Sequence, residues 1–393
     1  MPLTDHQAIL NARFRDLLYN FRLMNTPTTR RFCIFCGEQP ERKSREHPLP
    51  QWLLRLTGDP TRVVKHGYHW DSGRNFEFSW DSLAFPACEE CNSNYSTFEG
   101  KAKHTVEKIC RRDPVDPKGY VHLLDWLDKV RIGLWLGYRY LQNDHFGIPP
   151  KFTINSRIGA KDRMVAVYAI GDHQVGLNTW GVETPLFQFK PSVLSLRVNN
   201  TLFLNASWDW MCSSRCGYPF PRHRKILLDQ QGLMEVGDFL CRRKITHPVI
   251  RKIMKPCVLV CQPIVQPNAD GSLTGFSQED FDYCLNKAWP GRNGVGPLFR
   301  QFKGSTIQIG PDDEDIAFDT VSNDEARRTV DIATQAYSLQ NESVARDKYE
   351  SADSATIEHC KMQNKDNLAF NRKALKILRS MTPEEHKRHR ETP

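Results

Sequence analysis

The sequence predicts an α+β protein, and three observations support this fold class. Two Cys-x-x-Cys pairs enclose strand-like and helix-like segments within residues 31–115, and a strongly apolar helical pattern follows at 120–143. Strand signals then dominate from 150 to 265. We therefore expect a cysteine-rich module, a helix and a mainly β second domain, followed by a helical C-terminal tail.

Residues 1–30 are expected to form an N-terminal helix ahead of the module. Its apolar stripe consists of Leu10, Phe14, Leu17, Leu18 and Phe21. Within the module at 31–115, RVVKHGYHW and NFEFSWDSLAF have the composition of strands, with DSGR as the turn between them. The sequence from Asn92 to about Cys110 is helical, and the prolines of RRDPVDPKG end that helix.

Residues 116–310 predict a helix followed by a β-rich accessory domain. The helix contains the most hydrophobic stretch of the chain, DWLDKVRIGLWLGYRYL, but its charged residues favour a buried helix over a membrane span. Downstream, VLSLRVNNTLFLNA predicts a hairpin that turns at Asn199-Asn200, and KPCVLVCQPIV predicts a further strand. Residues 270–310 are rich in glycine and proline, which predicts loops with one short helix.

Residues 311–393 predict an acidic linker, beginning with PDDEDIAFD, and a C-terminal helix, and part of this segment is expected to be mobile. The helix covers NLAFNRKALKILRSM and should present one apolar face. That face consists of Phe370, Ala374, Ile377, Leu378 and Met381.

Composition and charge narrow the classes of protein to which the chain can belong. No apolar run is long enough for a membrane span, and the first residues lack the order of a signal peptide, so we expect a cytoplasmic protein without a membrane partner. Twelve cysteines in a chain of this size favour reduced thiols over disulfides. The net charge of +8 suits a polyanionic partner, although a solvated basic surface is the alternative.

The strongest motif is the set of two cysteine pairs, Cys33 with Cys36 and Cys88 with Cys91. Two residues between cysteines allow both sulfurs to reach one ion, and two such pairs complete a tetrahedral zinc site. Such a site has no open coordination position, so the zinc is expected to be structural. The alternative is four unrelated buried cysteines.

The insert between the cysteine pairs holds the dipeptide Glu46-His47, which suits phosphodiester hydrolysis. Histidine can activate a water molecule near neutral pH, so His47 is the candidate general base. A divalent cation, Mg²⁺ or Mn²⁺, prefers oxygen ligands, and Glu46 and Asn92 can supply them. On a strand, Glu46 and His47 would lie on opposite faces and could flank a phosphate. The alternatives are a packed histidine, a solvated carboxylate and a helix cap at Asn92.

The stretches CIFC, REHPLP and CEECNSNY resemble the HNH, or His-Me finger, endonuclease superfamily, in an arrangement similar to the phage recombination endonuclease VII group. The resemblance covers about residues 31–103. It implies a zinc-bound ββα module that cleaves nucleic acid with a divalent cation. Carried over by residue, it makes His47 the general base and Glu46 and Asn92 the ligands of the catalytic cation. The structural zinc ligands would be Cys33, Cys36, Cys88 and Cys91.

A second likeness extends the first. EHPLPQWLL with CNSNYSTFE resembles a bacterial HNH subgroup with an EHxxPxWL strand, in which a glutamate recurs in the last helix, here Glu99. The chain departs from many HNH proteins before its second cysteine pair, where an asparagine ties down the loop. In this sequence Asp81 is the only stand-in for that asparagine.

The sequence therefore predicts a divalent-metal-dependent endonuclease acting on DNA, with RNA as the other candidate substrate. A single site cuts one strand, so a double-strand break would need a homodimer or two events. The accessory domain could gate the nuclease in a defence or mobile-element role, which is family association only. The competing hypothesis is a zinc-finger module that binds DNA or RNA without cleaving it.

Several further groups are weaker candidates, each with a more ordinary interpretation. Cys212, Cys216 and His223 could form a second metal site, and His66 and His69 could contact phosphate or serve the core. The basic runs 221–228 and 241–255 could follow a nucleic-acid backbone or lie in solvent. Trp208 and Trp210 could stack bases, although core packing is the more common role.

Overall fold

A computed structural model of the chain describes most of the segments on which the sequence analysis depends. The described residues are 32–40, 42–68, 74–141, 154, 162–170, 175–183, 192–208, 210–216, 220–221, 225–229, 232–236, 239–240, 255–263, 298–302, 305–319, 325–345 and 354–380. The expected N-terminal helix, the short helix near 277–289, His69, His223 and the basic run 241–255, apart from its last residue, lie outside these residues.

Helices and strands are mixed along the described chain, which confirms the α+β class. The elements of the N-terminal module, residues 32–115, are β1 (Lys43–Glu46), α1 (Gln51–Leu56), β2 (Val63–Tyr68), β3 (Asn75–Ser79), β4 (Phe85–Cys88) and α2 (Glu89–Arg111). Next come α3 (Pro117–Leu141), β5 (Asp162–Ala169), β6 (Leu177–Trp180), β7 (Val193–Val198), β8 (Thr201–Ala206) and α4 (Met211–Cys216).

The remaining elements complete the sheet and add two long helices. They are β9 (Phe220–Pro221), β10 (Lys225–Asp229), β11 (Gly232–Val236), β12 (Phe239–Leu240), β13 (Val258–Pro263), β14 (Leu298–Phe302), β15 (Ser305–Ile309), α5 (Glu325–Ala345) and α6 (Ser354–Ser380). Among the described residues no helix is both long and apolar enough to cross a membrane.

In the N-terminal module, strand β1 pairs with β4 in antiparallel register, with Glu46 opposite Phe85. Helix α2 follows β4 directly, so the second cysteine pair spans the junction of strand and helix. The segment after Glu46 was expected to be a strand on the subgroup likeness, but residues 51–56 form α1. Pro50 explains the difference, because its fixed φ of −67° suits the start of a helix.

A seven-stranded antiparallel sheet forms the centre of the molecule, in the order β15-β14-β13-β5-β8-β7-β6. The predicted hairpin is confirmed as β7 and β8, which turn at Asn199-Asn200 with Val198 opposite Thr201. Asn199 has a positive φ of 52°, a conformation that asparagine tolerates better than most residues.

The central strands of the sheet are buried on both faces, and their side chains alternate between two apolar layers. In β5, Val165 and Val167 pack in the core that α3 shares with the N-terminal module. Met164 and Ala166 face the opposite layer, where Ile332 of α5 covers the sheet. One continuous core therefore joins the N-terminal module to the sheet through α3.

Three predictions for the C-terminal third of the chain are wrong. Residues 298–309 were expected to be loops, but residues 298–302 and 305–309 form the paired strands β14 and β15 at the edge of the sheet. Ile316, in the expected acidic linker, is buried and pairs with Val115. Helix α5 packs on the sheet within the segment expected to be a linker.

The apolar face of α6 also differs from the prediction. Leu375 and Leu378 are buried against α5, whereas Ile377 is 49% exposed. The buried asparagine Asn371 explains the rotation, because its side chain donates hydrogen bonds to Gln340 and Asn341 of α5. Position 371 therefore faces α5, and the stripe runs through 371, 375 and 378.

Four charged residues of α3, Asp125, Asp128, Lys129 and Arg131, are buried and paired, as expected for a buried helix. Arg163 of β5 contacts Asp125 and lies 3.0 Å from Asp128, measured from Nη1 to Oδ2. Arg131 donates hydrogen bonds to Asp128 and to Asn205 of β8. Burial raises the pKa of Asp128, but the two guanidinium groups outweigh that effect and lower it. These contacts fix α3 against the sheet.

His66 is a structural histidine that joins the N-terminal module to the sheet. Its Nε2 lies 2.6 Å from Oγ1 of Thr179 in β6, and its ring packs between Trp80 and Tyr138. Burial lowers the pKa of His66 to about 4. The ring is therefore neutral in the folded protein near neutral pH.

We expect this histidine to make folding depend on pH. Because the folded pKa lies below the ordinary value, its stabilising effect is complete above about pH 6.5 and is lost as the pH falls toward 4. Between pH 7 and pH 5 the wild-type chain should lose about 1 to 2 kcal/mol more unfolding free energy than His66→Gln. Urea unfolding at both pH values measures this difference.

The matched control is His104→Gln, which changes an exposed histidine on α2. It should retain the pH dependence of the wild-type chain. An equal loss of stability in wild type and His66→Gln would contradict the prediction.

Candidate metal centre and catalytic residues

The four predicted cysteines come together in one cluster. The sulfur atoms of Cys33, Cys36, Cys88 and Cys91 all lie within 4.8 Å of one another, and Cys36 Sγ lies 3.8 Å from Cys88 Sγ. Tetrahedral zinc–sulfur bonds of about 2.3 Å place neighbouring sulfurs about 3.8 Å apart. The cluster can therefore hold a metal ion such as zinc.

Local backbone structure explains why the sulfurs converge. Cys33 begins a tight turn in which Gly37 donates its N–H to the Cys33 carbonyl at 2.8 Å, and Gly37 has a φ of 84°, which favours glycine. Cys88 ends β4, and Cys91 lies in the first turn of α2. The N–H of Cys88 also donates to Cys33 Sγ at 3.2 Å, a contact that favours a thiolate.

The four sulfurs affect one another's protonation. Burial raises the pKa of Cys88 to about 12, with the neighbouring sulfurs of Cys33 and Cys36 adding to the rise. Burial also raises the pKa of Cys91, and the same neighbours contribute. Four thiolates this close repel one another, and a divalent cation removes that repulsion. The donor set therefore fits zinc in a closed, structural site.

Glu46 and His47 lie where β1 ends, beside the start of α2. Glu46 is the last residue of the strand and is 5% exposed, whereas His47 follows it outside the strand and is half-buried. The expectation that both lie on one strand is wrong, so alternation across the sheet does not fix their directions. The Nδ1 atom of His47 is buried and makes no hydrogen bond with the described residues.

A buried lysine contacts this dipeptide from helix α3. Lys129 is fully buried, and its ammonium contacts carboxylate oxygens of Glu46 and Glu99. It also donates to the carbonyl oxygen of His47 at 3.2 Å. Burial lowers the pKa of Lys129, but the two carboxylates outweigh that effect and raise it, so the lysine stays charged. Burial raises the pKa of Glu46 against the lowering effect of Lys129.

The environment of His47 favours its neutral, proton-accepting form. Burial lowers the pKa of His47, and the positive charges of Arg45 and Lys129 lower it further, against opposite effects of Asp81 and Glu99. Asp81 lies in the short 3-10 turn between β3 and β4, and its Oδ1 is buried without a hydrogen bond among the described residues. The imidazole of His47 is therefore neutral near pH 7 and can accept a proton.

Asn92 lies on α2 close to β1, but within the described part of the chain its side chain makes no hydrogen bond to Glu46. Its Nδ2 donates to the carbonyl oxygen of Arg45 at 3.4 Å. Asn92 is inside the helix, and Cys88 is the N-cap residue, so the capping alternative is wrong.

These contacts do not favour a divalent cation held by Glu46 and Asn92, because the carboxylate of Glu46 is engaged by Lys129. The predicted ligand pair for catalytic Mg²⁺ or Mn²⁺ stays a prediction.

The weaker candidates separate into core residues and residues that the structure does not describe. Trp210 and Cys212 are buried, as are Cys257 and Cys261, which favours core packing for these side chains. Trp210 lies in the turn before α4 and not on a strand with Trp208. The side chains of Cys216 and His223 lie outside the description, so a second metal site there stays a prediction.

Lys129 is the residue that sequence reasoning missed. Its position within the apolar helical stretch predicts burial, and a buried lysine requires acidic partners. The partners themselves could not be read from the sequence, since His47 is 82 residues away from it.

Comparisons of the chain with protein-family models, with curated proteins and with solved structures give no significant match.

We expect one zinc ion per chain, bound by the four-cysteine cluster. Cys36→Ser removes one of four thiolates, so zinc measured by elemental analysis of the purified protein should fall from one ion per chain to near zero. Cys110→Ser is the control, because Cys110 lies on α2 outside the cluster. A full complement of zinc in Cys36→Ser would contradict the assignment.

Proposed function

We propose that the chain is an endonuclease of the HNH type that hydrolyses phosphodiester bonds in DNA. The observation that carries the proposal is the meeting of three elements at one place. The end of β1 presents Glu46 and His47, β4 pairs with β1, and α2 begins at the cysteine cluster that joins them. Two strands and a helix around a four-cysteine cluster are what the HNH resemblance implies for a zinc-bound ββα module.

In the proposed mechanism, His47 is the catalytic base. Its neutral imidazole accepts a proton from a water molecule, and the water oxygen attacks phosphorus. The bond from phosphorus to the 3′ oxygen then breaks, and that oxygen takes a proton from solvent to leave a 3′ hydroxyl and a 5′ phosphate. The lowered pKa of His47 supports this role, because the ring is unprotonated at neutral pH.

Positive charge near the dipeptide supports a polyanionic substrate. Arg45 precedes Glu46 and is exposed, and Arg42, at the start of the same segment, has 85% of its side chain exposed. The whole chain has a net charge of +8. Such side chains contact phosphates without reading sequence, so DNA is proposed on the resemblance and RNA is the alternative substrate.

The resemblance also implies a catalytic divalent cation at Glu46 and Asn92. Lys129 already neutralises Glu46, so the arrangement of the described residues gives no support to that ligand pair. The proposed mechanism therefore depends on His47, and the requirement for a divalent cation is measured in the assay below. Gating by the sheet domain, a homodimer and a defence or mobile-element role stay predictions.

The second candidate function is a zinc-bound module that binds nucleic acid without cleavage. The observation that favours it is the ion pair of Glu46 with Lys129, which occupies the carboxylate expected to bind the catalytic cation. In that case His47 would be a half-buried histidine without a catalytic task.

The substitution His47→Ala separates the two functions. If His47 is the base, nicking of supercoiled plasmid should fall by at least about 100-fold, which is the usual contribution of a general base. DNA binding and zinc content should stay at wild-type values, because the cysteine cluster does not include His47.

The assay is run with Mg²⁺ and with EDTA, so that it also measures the dependence on a divalent cation. The matched control is His104→Ala, an exposed histidine on α2 that should cleave like wild type. Equal nicking by wild type and His47→Ala would refute the proposed base. Binding without nicking in the wild-type chain would favour the second function.

A further inference from the structure

Lys129 has three partners at the predicted catalytic site. A lysine ammonium has three N–H donors and accepts no hydrogen bond. Its three partners are carboxylate oxygens of Glu46 and Glu99 and the carbonyl oxygen of His47. Lys129 donates hydrogen bonds to Glu99 and to the His47 carbonyl, and it forms an ion pair with Glu46.

The set of oxygens around Lys129 is the kind that a divalent cation selects. Mg²⁺ is bound in proteins through carboxylates and carbonyl oxygens, and here two carboxylates and one carbonyl converge on a single point. They come from the end of β1, from the residue after it and from α2. A positive charge already occupies the point at which these three segments meet.

Lys129 is held in this position by the rest of α3. On the sheet side of the helix, Arg163 contacts Asp125 and Asp128, and the three groups are buried. Withdrawal of the ammonium would leave Glu46, which is 5% exposed, without its counter-charge. A divalent cation at Glu46 would thus have to displace a fully buried lysine on a fixed helix.

We propose that Lys129 is the resident cation of this site and that Glu46 does not ligate a divalent metal ion. This inference concerns the same site as the proposed nuclease, and its catalytic significance rests on that proposed function. Lys129 neutralises Glu46 and Glu99 and fixes the main chain of His47. Lys129, Glu46 and Glu99 are then positioning residues that act through the base.

The first test measures Mn²⁺ binding to the zinc-loaded full chain by electron paramagnetic resonance. Glu46→Gln keeps the shape of the side chain and removes its charge. We expect Mn²⁺ binding to be absent in both proteins, or to have dissociation constants that agree within twofold. A wild-type Mn²⁺ site that weakens tenfold or more in Glu46→Gln would overturn the inference. Glu77→Gln, an exposed glutamate on β3, is the control for a change of charge.

The second test removes the ammonium group of Lys129 from between the two carboxylates. In Lys129→Met, two carboxylates face each other without a counter-charge, so Mn²⁺ should bind at least tenfold more tightly than in wild type. The double variant Lys129→Met with Glu46→Gln should lose that gain. A folded Lys129→Met chain with full zinc content and no gain in Mn²⁺ binding would overturn the inference. If Lys129→Met fails to fold, the Glu46→Gln comparison decides.

A kinetic readout separates positioning from a merely structural role. If Glu46 acts through His47, Glu46→Gln should lower kcat for plasmid nicking and leave KM within twofold. Unchanged kcat and KM would overturn the positioning role. The Mn²⁺ measurements do not depend on cleavage, so they test the inference even if His47→Ala shows that the chain is not a nuclease.

Discussion

The N-terminal module depends on four cysteine sulfurs that share one small volume. Without a cation, thiolates within 4.8 Å of one another repel, so a bound cation would stabilise the junction of the chain segments that carry them. The cluster joins the turn at Cys33 to the first turn of α2. Because β1 and β4 are paired directly beside this junction, the position of Glu46 and His47 follows from it.

Helix α3 links that module to the rest of the molecule through neighbouring charged side chains. Lys129 contacts Glu46 and Glu99 of the module, and Asp125 and Asp128 pair with Arg163 of the central sheet. These charges are inside the protein, where ions are stable only when paired. The apolar residues of the same helix complete a core that the two parts share. The module and the sheet therefore share one hydrophobic core.

Sequence reasoning found the features that depend on local spacing. The cysteine pairs, helix α2 and the hairpin at Asn199-Asn200 all carry patterns within a few residues. It failed where burial is decided by distant partners. Strands β14 and β15 lie among glycine- and proline-rich residues and form because they extend an existing sheet. The contact of Lys129 with the carbonyl of His47 has no local signal, although the need of a buried lysine for acids does.

The separation of Lys129 from its partners has a consequence for synthesis on the ribosome. Glu46 and His47 leave the exit tunnel long before α3, and Arg163, which secures that helix, follows later still. A nascent chain that already contains both cysteine pairs lacks the counter-ion of its two acids. The contacts of the dipeptide with Lys129 therefore form only after α3 has been synthesised, and the ion pairs that secure α3 form only after Arg163.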